Sequence, residues 1–331
     1  MTRNAMRAVR IHSHGGPEAM VVEEVDVPAP ERGQVLIRVT AAGVNWADAA
    51  RRSGEHYPFP TQFPYTVGQE LVGTVEAVGP EVTAYKPGDS VFALPDGGAY
   101  AEFAIAAEHE LIRVPDGLDP AEGLALAVQG LSAYGVLKDA ARVQPGDVVL
   151  VQAAAGGVGL LAVQLAKLFG AGQVIASASS ESKRAIALEH GADAAVDPNS
   201  GSWADDIREV ARGGAVDVVL EMTGGPTFSE SVALLRQFGR IVVYGNASGE
   251  PPSYDIFAAM GRNLTLRTFF LIPYLTKQDF VRDALEEMAA LVAEGKLKLV
   301  IGGRYTFEQA QEMHVLLEQR ATSGKLLLLP A

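Results

Sequence analysis

Asp147-Val148-Val149-Leu150-Val151-Gln152-Ala153-Ala154-Ala155-Gly156-Gly157-Val158-Gly159 runs an apolar stretch of strand character straight into a glycine-rich turn, and positions 158–169 then carry an amphipathic helical pattern. Strand, small-residue turn and helix in that order make a cradle for a dinucleotide. Where side chains are missing the backbone can approach a pyrophosphate, and the helix N-terminus offers its N–H groups to the anion. The small positions are spaced Ala153-x-x-Gly156-x-x-Gly159, which makes Ala155, Gly156, Gly157, Val158 and Gly159 candidate cofactor-binding residues. A tight turn that binds nothing is the plainer alternative. The pattern of the chain on either side favours the cradle.

From about position 121 to 265, strand-like and helix-like segments alternate: 148–152, 158–169, 173–178, 181–190, 194–196, 203–211, 216–220, 228–238 and 240–244. Alternation of this kind predicts a parallel sheet covered on both faces. Upstream the pattern is different. Short β-like runs at 6–11, 20–27, 34–41, 70–78, 90–93 and 99–106 are divided by turns such as Pro30-Glu31-Arg32-Gly33 and Lys86-Pro87-Gly88-Asp89. In one of them Val35, Ile37 and Val39 alternate with Arg38 and Thr40, as a half-buried strand requires. After a further apolar strand at 264–271 and a helix at 277–294, the tail ending Gly324-Lys325-Leu326-Leu327-Leu328-Leu329 is expected to return to the first domain. The expected extents are 1–123 and 269–331 for a mainly-β catalytic domain and 124–268 for the inserted nucleotide domain. A cleft between domains is a common place for a ligand.

The chain has 331 residues, 48% of them hydrophobic, enough for two packed cores. Its formal net charge of −13 opposes phosphate backbones and anionic lipid, so neither nucleic acid nor a membrane is expected as a partner. No apolar run reaches bilayer-spanning length, and positions 1–16 lack the apolar core of a signal peptide, which predicts a soluble cytoplasmic protein. Cysteine is absent, excluding disulfides, thiolate nucleophiles and cysteine-ligated zinc or iron–sulfur sites. The six histidines, His12, His14, His56, His109, His190 and His314, show no metal-ligand spacing. None is assigned to catalysis, His56 being the one candidate on a loop.

Several motifs stand in order along nearly the whole chain: Ala41-Ala42-Gly43-Val44-Asn45-Trp46-Ala47-Asp48, Val67-Gly68-Gln69-Glu70-Leu71-Val72-Gly73-Thr74-Val75, Val128-Gln129-Gly130-Leu131-Ser132-Ala133-Tyr134, the turn at 153–159, and Gly245-Asn246-Ala247-Ser248-Gly249. Together they resemble the medium-chain dehydrogenase/reductase superfamily, and within it the zinc-independent quinone oxidoreductase branch. The resemblance implies an α/β fold, a Rossmann doubly wound parallel-sheet domain inserted in a GroES-like mainly-β catalytic domain. It further implies a zinc-independent, NADPH-dependent reductase that transfers hydride to a quinone or an α,β-unsaturated carbonyl. A 2-enoyl thioester reductase is the neighbouring alternative, and an NADPH-binding redox sensor or structural protein the non-enzymatic one. Zinc alcohol dehydrogenases of the superfamily place a cysteine where Asn45 stands and a histidine where Gln69 stands. An amide is a poor zinc ligand beside thiolate or imidazole. Hydride addition to an electron-poor conjugated acceptor needs less Lewis-acid help than alcohol oxidation, leaving the protein to position, exclude water and stabilise the oxyanion.

NAD-specific folds place an acid about 20 residues past the glycines to bond the ribose 2′-hydroxyl. Here that position falls on Ala178, followed by Ser179, Ser180 and Lys183, which suit a 2′-phosphate as hydrogen-bond donors and counter-charge. The serines also read as a helix N-cap and Lys183 as part of a solvated helix face. NADPH is the expected cofactor, with NADH also usable. In place of the tyrosine that related quinone reductases often carry after the third strand stands Asp197-Pro198-Asn199.

By the same resemblance, Gln129 and Ser132 touch the nicotinamide amide and ribose. Thr223, Gly245 and Asn246 fall at strand ends on the carboxyl edge, where open parallel sheets bind ligands. Lys325 is a candidate for a cofactor phosphate, or a solvated tail residue. On the acceptor side, Asn45 is expected to donate an amide N–H to the acceptor oxygen, with Asp48 orienting it or capping a helix. Tyr57 and Tyr65 fall on the loop expected to roof the acceptor pocket. Related enoyl reductases use a tyrosine near the Tyr57 position as proton donor, and a phenol of pKa about 10 can donate to a developing enolate. A packing role is the alternative for both tyrosines. No metal site is expected. The apolar strand at 264–271, unprotected at a sheet edge, predicts a homodimer with a sheet continuous across the subunits.

Overall fold

The computed structural model describes residues 5–55 and 57–330, so His56 lies outside the described residues. Two compact units are present, one taking the chain up to Val128 and again from Leu299, the other running from Gln129 to Lys298. The second boundary falls well past the expected position 268. Its cause is the helix Gln278–Ala293, whose Phe280 packs edge-on against Tyr134 and whose Glu287 accepts from the Tyr134 hydroxyl at 2.7 Å, holding it to the nucleotide unit.

The first unit is built on the strand Gln34–Val44, 11 residues long. Val35, Ile37 and Val39 are buried on one face while Arg38 and Thr40 are exposed, as the alternation requires. Leu36 is also buried, because Met6, Ala8, Ala101 and Phe103 cover part of the other face. The larger sheet runs in the order Ile301–Thr306, Lys325–Leu329, Gln34–Val44, Leu71–Val78, Ser90–Ala93, Leu111–Arg113, with Phe103–Ala107 also pairing Gln34–Val44. A smaller sheet orders Val21–Asp26, Ala5–Ile11 and Tyr65–Thr66. The tail does return to this unit. Lys325–Leu329 enters the sheet interior, and its leucines face two different core clusters, which explains a run apolar at every position rather than at alternate ones.

The second unit is a six-stranded sheet in the order Ala194–Val196, Gln173–Ser177, Val148–Val151, Val216–Glu221, Leu235–Val243, Thr265–Thr268, with every neighbouring pair parallel. Strand order reverses at Val148–Val151, and the glycine turn leaves that strand's carboxyl end, the place where doubly wound sheets bind ligands. Two expectations shift here. The helix expected at 228–238 is Gly225–Leu234, and the chain turns at once into the strand Leu235–Val243. The strand expected at 264–271 spans only Thr265–Thr268. Phe269 leaves it to pack on Tyr274, 4.7 Å between ring centroids, and Leu271–Leu275 forms a short helix instead. The strand does lie at the sheet edge, and Leu266 in it is exposed. No helix among the described residues is long and apolar enough to cross a membrane.

Candidate active site

In the first unit, three segments remote in sequence meet at Asn45. That residue ends the strand Gln34–Val44 and begins the helix Trp46–Ser53. Leu326 pairs opposite Val44, which sets Lys325 beside Asn45, and Leu71 pairs opposite Ala42, which brings Gln69 and Glu70 to the same place. Glu70 Oε2 accepts from Asn45 Nδ2 at 2.7 Å and from the Lys325 ammonium, while Glu70 Oε1 accepts from the Val128 N–H at 2.8 Å. Lys325 Nζ also donates to Asn45 Oδ1 at 3.2 Å. Both charges are fully buried, so each requires the other. A Cβ at Gly43 would overlap the Glu70 carboxylate and lie 2.7 Å from Lys325 Nζ, hence the glycine. Lys325 is therefore held in the interior by Glu70 and Asn45 rather than lying in a solvated tail. Asn45 likewise directs one amide hydrogen and its oxygen inward.

Asp48 serves Asn45 through the backbone. Its Oδ2 accepts the Asn45 N–H at 2.8 Å, one half of a capping box at the start of the helix. The carboxyl is buried, and burial, working against the Asn45 N–H and Lys325, lifts its pKa to about 7. Oδ1 has no hydrogen-bond partner among the described residues. Behind it, Tyr100 Oη stands 3.4 Å from Asp48 Oδ2 and 3.4 Å from His314 Nε2, and Arg52 Nε donates to His314 Nδ1 at 3.3 Å. Arg52 continues to Glu318 and the Gly15 carbonyl. Burial beside that cation holds His314 down to about 3.

Tyr57 and Tyr65 are brought together by a residue that the sequence pattern did not single out. Arg51 sits in the last turn of the helix Trp46–Ser53, where basic residues usually complement the helix dipole in solvent. Instead its side chain is 3% exposed. Its guanidinium lies 4.3 Å from the Tyr65 ring centroid and 5.0 Å from that of Tyr57, and it bonds Asp96 Oδ1 at 2.6 Å and Oδ2 at 3.0 Å. The Tyr57 hydroxyl accepts from Gln69 Nε2 at 2.6 Å and from Arg51 Nη1 at 3.3 Å. Burial raises the Tyr57 pKa above the usual phenol range, with Gln69 and Arg51 opposing. Tyr65 is raised further by deeper burial, and its hydroxyl donates to the Asp96 carbonyl at 3.0 Å. Tyr65 is thus a wall of the cluster.

In the second unit the glycine turn fits a dinucleotide on steric grounds. At Gly156 an added Cβ would meet only the Ala153 carbonyl oxygen, at 3.3 Å, and φ is −72°. Internal packing therefore barely restricts that position, and the open backbone face is what a pyrophosphate needs. At Gly159 a Cβ would overlap the Ala153 carbonyl and lie 2.8 Å from Ala154 Cα, so this glycine lets the helix Gly157–Leu168 pack on its strand. A Cβ at Gly157 would overlap the Gln129 amide, which places Gln129 at the turn. Ala155 is buried in the turn and Val158 begins the helix with Gly157. Ser132 follows Gln129 on the helix Val128–Tyr134, and both are buried.

At the carboxyl edge, Gln152 Oε1 accepts from the Thr223 hydroxyl at 2.8 Å and from the Met222 and Thr223 N–H groups. Glu221 Oε1 accepts from the N–H groups of Thr223 and Gly224 at 3.0 and 2.8 Å. The turn after Gly245 is zipped to this one, the Ala247 and Ser248 N–H groups donating to the Met222 and Thr223 carbonyls. Gln152 and Glu221, neither expected, thus hold the turn at Thr223, and the backbone bonds join it to the turn at Gly245 and Asn246 in one ridge. Beside the second strand, Ser180 caps the helix Glu181–Glu189 by accepting the Lys183 N–H. Arg184, also not expected, turns back to the Ala178 carbonyl at 3.0 Å and pairs with Asp197 at 2.9 Å. Asp197 in turn accepts the Asn199 N–H, so Asp197-Pro198-Asn199 closes the rim next to Ser179.

Two family models match these units, the alcohol dehydrogenase GroES-like domain over residues 31–116 and the zinc-binding dehydrogenase domain over residues 157–293. The human quinone oxidoreductase is 34% identical over 98% of both chains. The chain belongs to the quinone oxidoreductase branch of the medium-chain dehydrogenase/reductase superfamily. Among solved structures, the Escherichia coli quinone oxidoreductase complexed with NADPH superposes with a TM-score of 0.91 at 30% identity, covering 98% of this chain and all of that one. A 2-haloacrylate reductase from a Burkholderia species is 33% identical over 98% of both chains. The chain is accordingly an oxidoreductase. Within the superfamily, the two positions where zinc dehydrogenases place a cysteine and a histidine carry amides here, Asn45 bonded to Glu70 and Lys325, Gln69 bonded to Tyr57.

Proposed function

We propose that this oxidoreductase reduces a quinone or an activated, α,β-unsaturated carbonyl with NADPH and without zinc. The observation that carries the reading is the use made of Asn45 and Gln69. Each amide is tied into a hydrogen-bond network that ends on an ammonium or on a phenol, a setting that suits an acceptor oxygen. Relatives named for quinone and for haloacrylate reduction support the same acceptor class.

When bound, the nicotinamide supplies the hydride. The protein's own residues do the rest. Gly156 would bare the backbone for the pyrophosphate, Gly157 makes room for the Gln129 amide at the turn and Gly159 for the helix, Ser132 lies on the same helix as Gln129, and Thr223, Gly245 and Asn246 form the ridge at the carboxyl edge. Ser179 and Lys183 would hold the 2′-phosphate, with Arg184 beside them bonded to the Ala178 carbonyl and Asp197, Ser180 being used as the helix cap. The buried Lys325–Glu70 pair fixes the Asn45 amide, and Asp48 fixes its backbone. The Tyr57 hydroxyl gives its proton to the oxyanion that forms as the acceptor is reduced, and is reprotonated from water.

A cytoplasmic setting fits the lack of cysteine. A homodimer fits the edge strand Thr265–Thr268, whose Leu266 is exposed, with Phe238, Ile256, Phe257 and Met260 exposed in the same unit. The deciding experiment is NADPH oxidation by chelator-treated protein, with an ortho-quinone and an enone as acceptors. Turnover that survives the chelator is expected. Absence of turnover with every acceptor despite NADPH binding, or activity that returns only with a divalent ion, overturns the reading.

A further inference from the structure

Arg51 and Asp96 are not among the residues that the resemblance assigns, yet Arg51 bonds the hydroxyl to which the chemistry is ascribed and Asp96 grips Arg51. A buried arginine needs a reason. Its side chain rises from the helix Trp46–Ser53 between two tyrosine faces, with Asp96 gripping the guanidinium from a loop in which Asp96 itself is 77% exposed. Nε also reaches the Thr61 hydroxyl at 3.4 Å. A Cβ at Gly97 would overlap the Tyr65 ring, so that loop closes on the cluster only with glycine there. Two segments, 57–65 and 96–97, are thereby pinned to one cation.

The consequence lies at Tyr57. A phenol oxygen offers one hydrogen and limited acceptor capacity. Gln69 Nε2 and Arg51 Nη1 both donate to it, at 2.6 and 3.3 Å. With its acceptor side filled by two donors, the hydroxyl has only its hydrogen left to offer.

We propose that Arg51 is a positioning residue for the reduction: together with Gln69 it turns Tyr57 into an obligate donor, and so selects acceptors that present a hydrogen-bond-accepting carbonyl oxygen. This rests on the reading of Tyr57 as the proton source. In the step it serves, the Tyr57 O–H bond breaks, its proton joins the oxygen made anionic by hydride addition, and the electron pair stays on the phenolate. Arg51 and Gln69 stabilise that phenolate until water returns a proton. Asp96 and Tyr65 are the other titratable groups facing this cation, and Asp96 tempers its charge.

The test is a double-mutant cycle with R51M, R51K, Y57F and R51M/Y57F, reading kcat and KM against pH with an ortho-quinone and an enone. R51M is expected to lower kcat about tenfold, the loss of one charge-assisted hydrogen bond. It should also move the alkaline limb of kcat to higher pH, because the phenol loses the cation that favours its ionised form. R51K should fall between R51M and the wild type. In the Y57F background R51M should change kcat little. Should R51M fail to fold, D96N removes the carboxylate that tempers the Arg51 cation and raises the Tyr57 pKa, and the same limb should move to lower pH. An R51M penalty equally large in the Y57F background, or an alkaline limb that neither R51M nor D96N moves, overturns the role of Arg51 while leaving Tyr57 in place. Wild-type kcat in Y57F removes the parent reading and this inference with it.

Discussion

Ala at 156 and Ala at 159 add the same methyl group to one glycine turn, yet the structure assigns them opposite effects. At Gly159 the new Cβ overlaps a backbone carbonyl, that of Ala153, which cannot swing aside as a side chain would. Relief requires the helix Gly157–Leu168 to move off the strand Val148–Val151, and Leu160, Leu161, Val163 and Leu165 are all buried on that helix. Overpacking of this kind costs about 1–3 kcal/mol, and a rigid backbone partner puts G159A at the upper end. For a unit of this size that is a Tm loss of roughly 6–12 °C. At Gly156 the Cβ meets only one oxygen at 3.3 Å with φ at −72°, so a shift of the neighbouring oxygen by a few tenths of an ångström accommodates it. G156A should keep its Tm. Its methyl stands where the pyrophosphate must approach, removing a charge-assisted hydrogen bond of about 1.5–3 kcal/mol, or about 10- to 100-fold in Kd. Thermal denaturation and NADPH fluorescence titration of both variants supply the comparison. Wild-type NADPH affinity in G156A, or an unchanged Tm in G159A, would refute the assignment of one glycine to ligand and the other to packing.

Replacing Lys325 by Met leaves the Glu70 charge buried without its partner, and should cost about 3–5 kcal/mol in urea unfolding, with K325M/E70Q recovering part of that loss. Asp48 has a folded pKa of about 7 against an ordinary 3.8, so the stability it contributes is present below about pH 4 and lost as pH rises through 7. D48N should therefore gain Tm relative to wild type as pH rises from about 4 to about 7, the window those two values bracket; a pH-independent difference would argue against a neutral buried carboxyl. His314 has the opposite sign. Its pKa is lowered from 6.5 to about 3, so its contribution is present above 6.5 and lost as pH falls toward 3, and H314N should flatten the acid limb of Tm against pH. Finally, L266K in the exposed edge strand should shift the protein toward monomer in analytical ultracentrifugation, and an unchanged mass would remove that strand from the interface.

Locally driven features were legible along the chain. Val35, Ile37 and Val39 announced a half-buried strand, and the spacing from Ala153 to Gly159 announced the turn, because period-two burial and missing side chains leave a mark within a few residues. The boundary at Lys298 was not legible, since the helix Gln278–Ala293 could serve either unit and only the packing of Phe280 on Tyr134 assigns it. Nothing in the sequence pattern singled out Arg51 or Arg52, and both are buried, because Asp96 and Glu318 come from elsewhere in the fold to receive them.

By itself the sequence determined a mainly-β unit interrupted by alternating strands and helices, a glycine turn suited to a dinucleotide, and amides where zinc-dependent relatives carry ligands. Tertiary structure alone decided which charges meet: Lys325 with Glu70 and Asn45, Arg51 with Asp96 and the hydroxyl of Tyr57. The physical reason is that periodicity records which face of an element is apolar, whereas the partner of a buried charge is chosen by strand order and register, which join positions far apart in the chain.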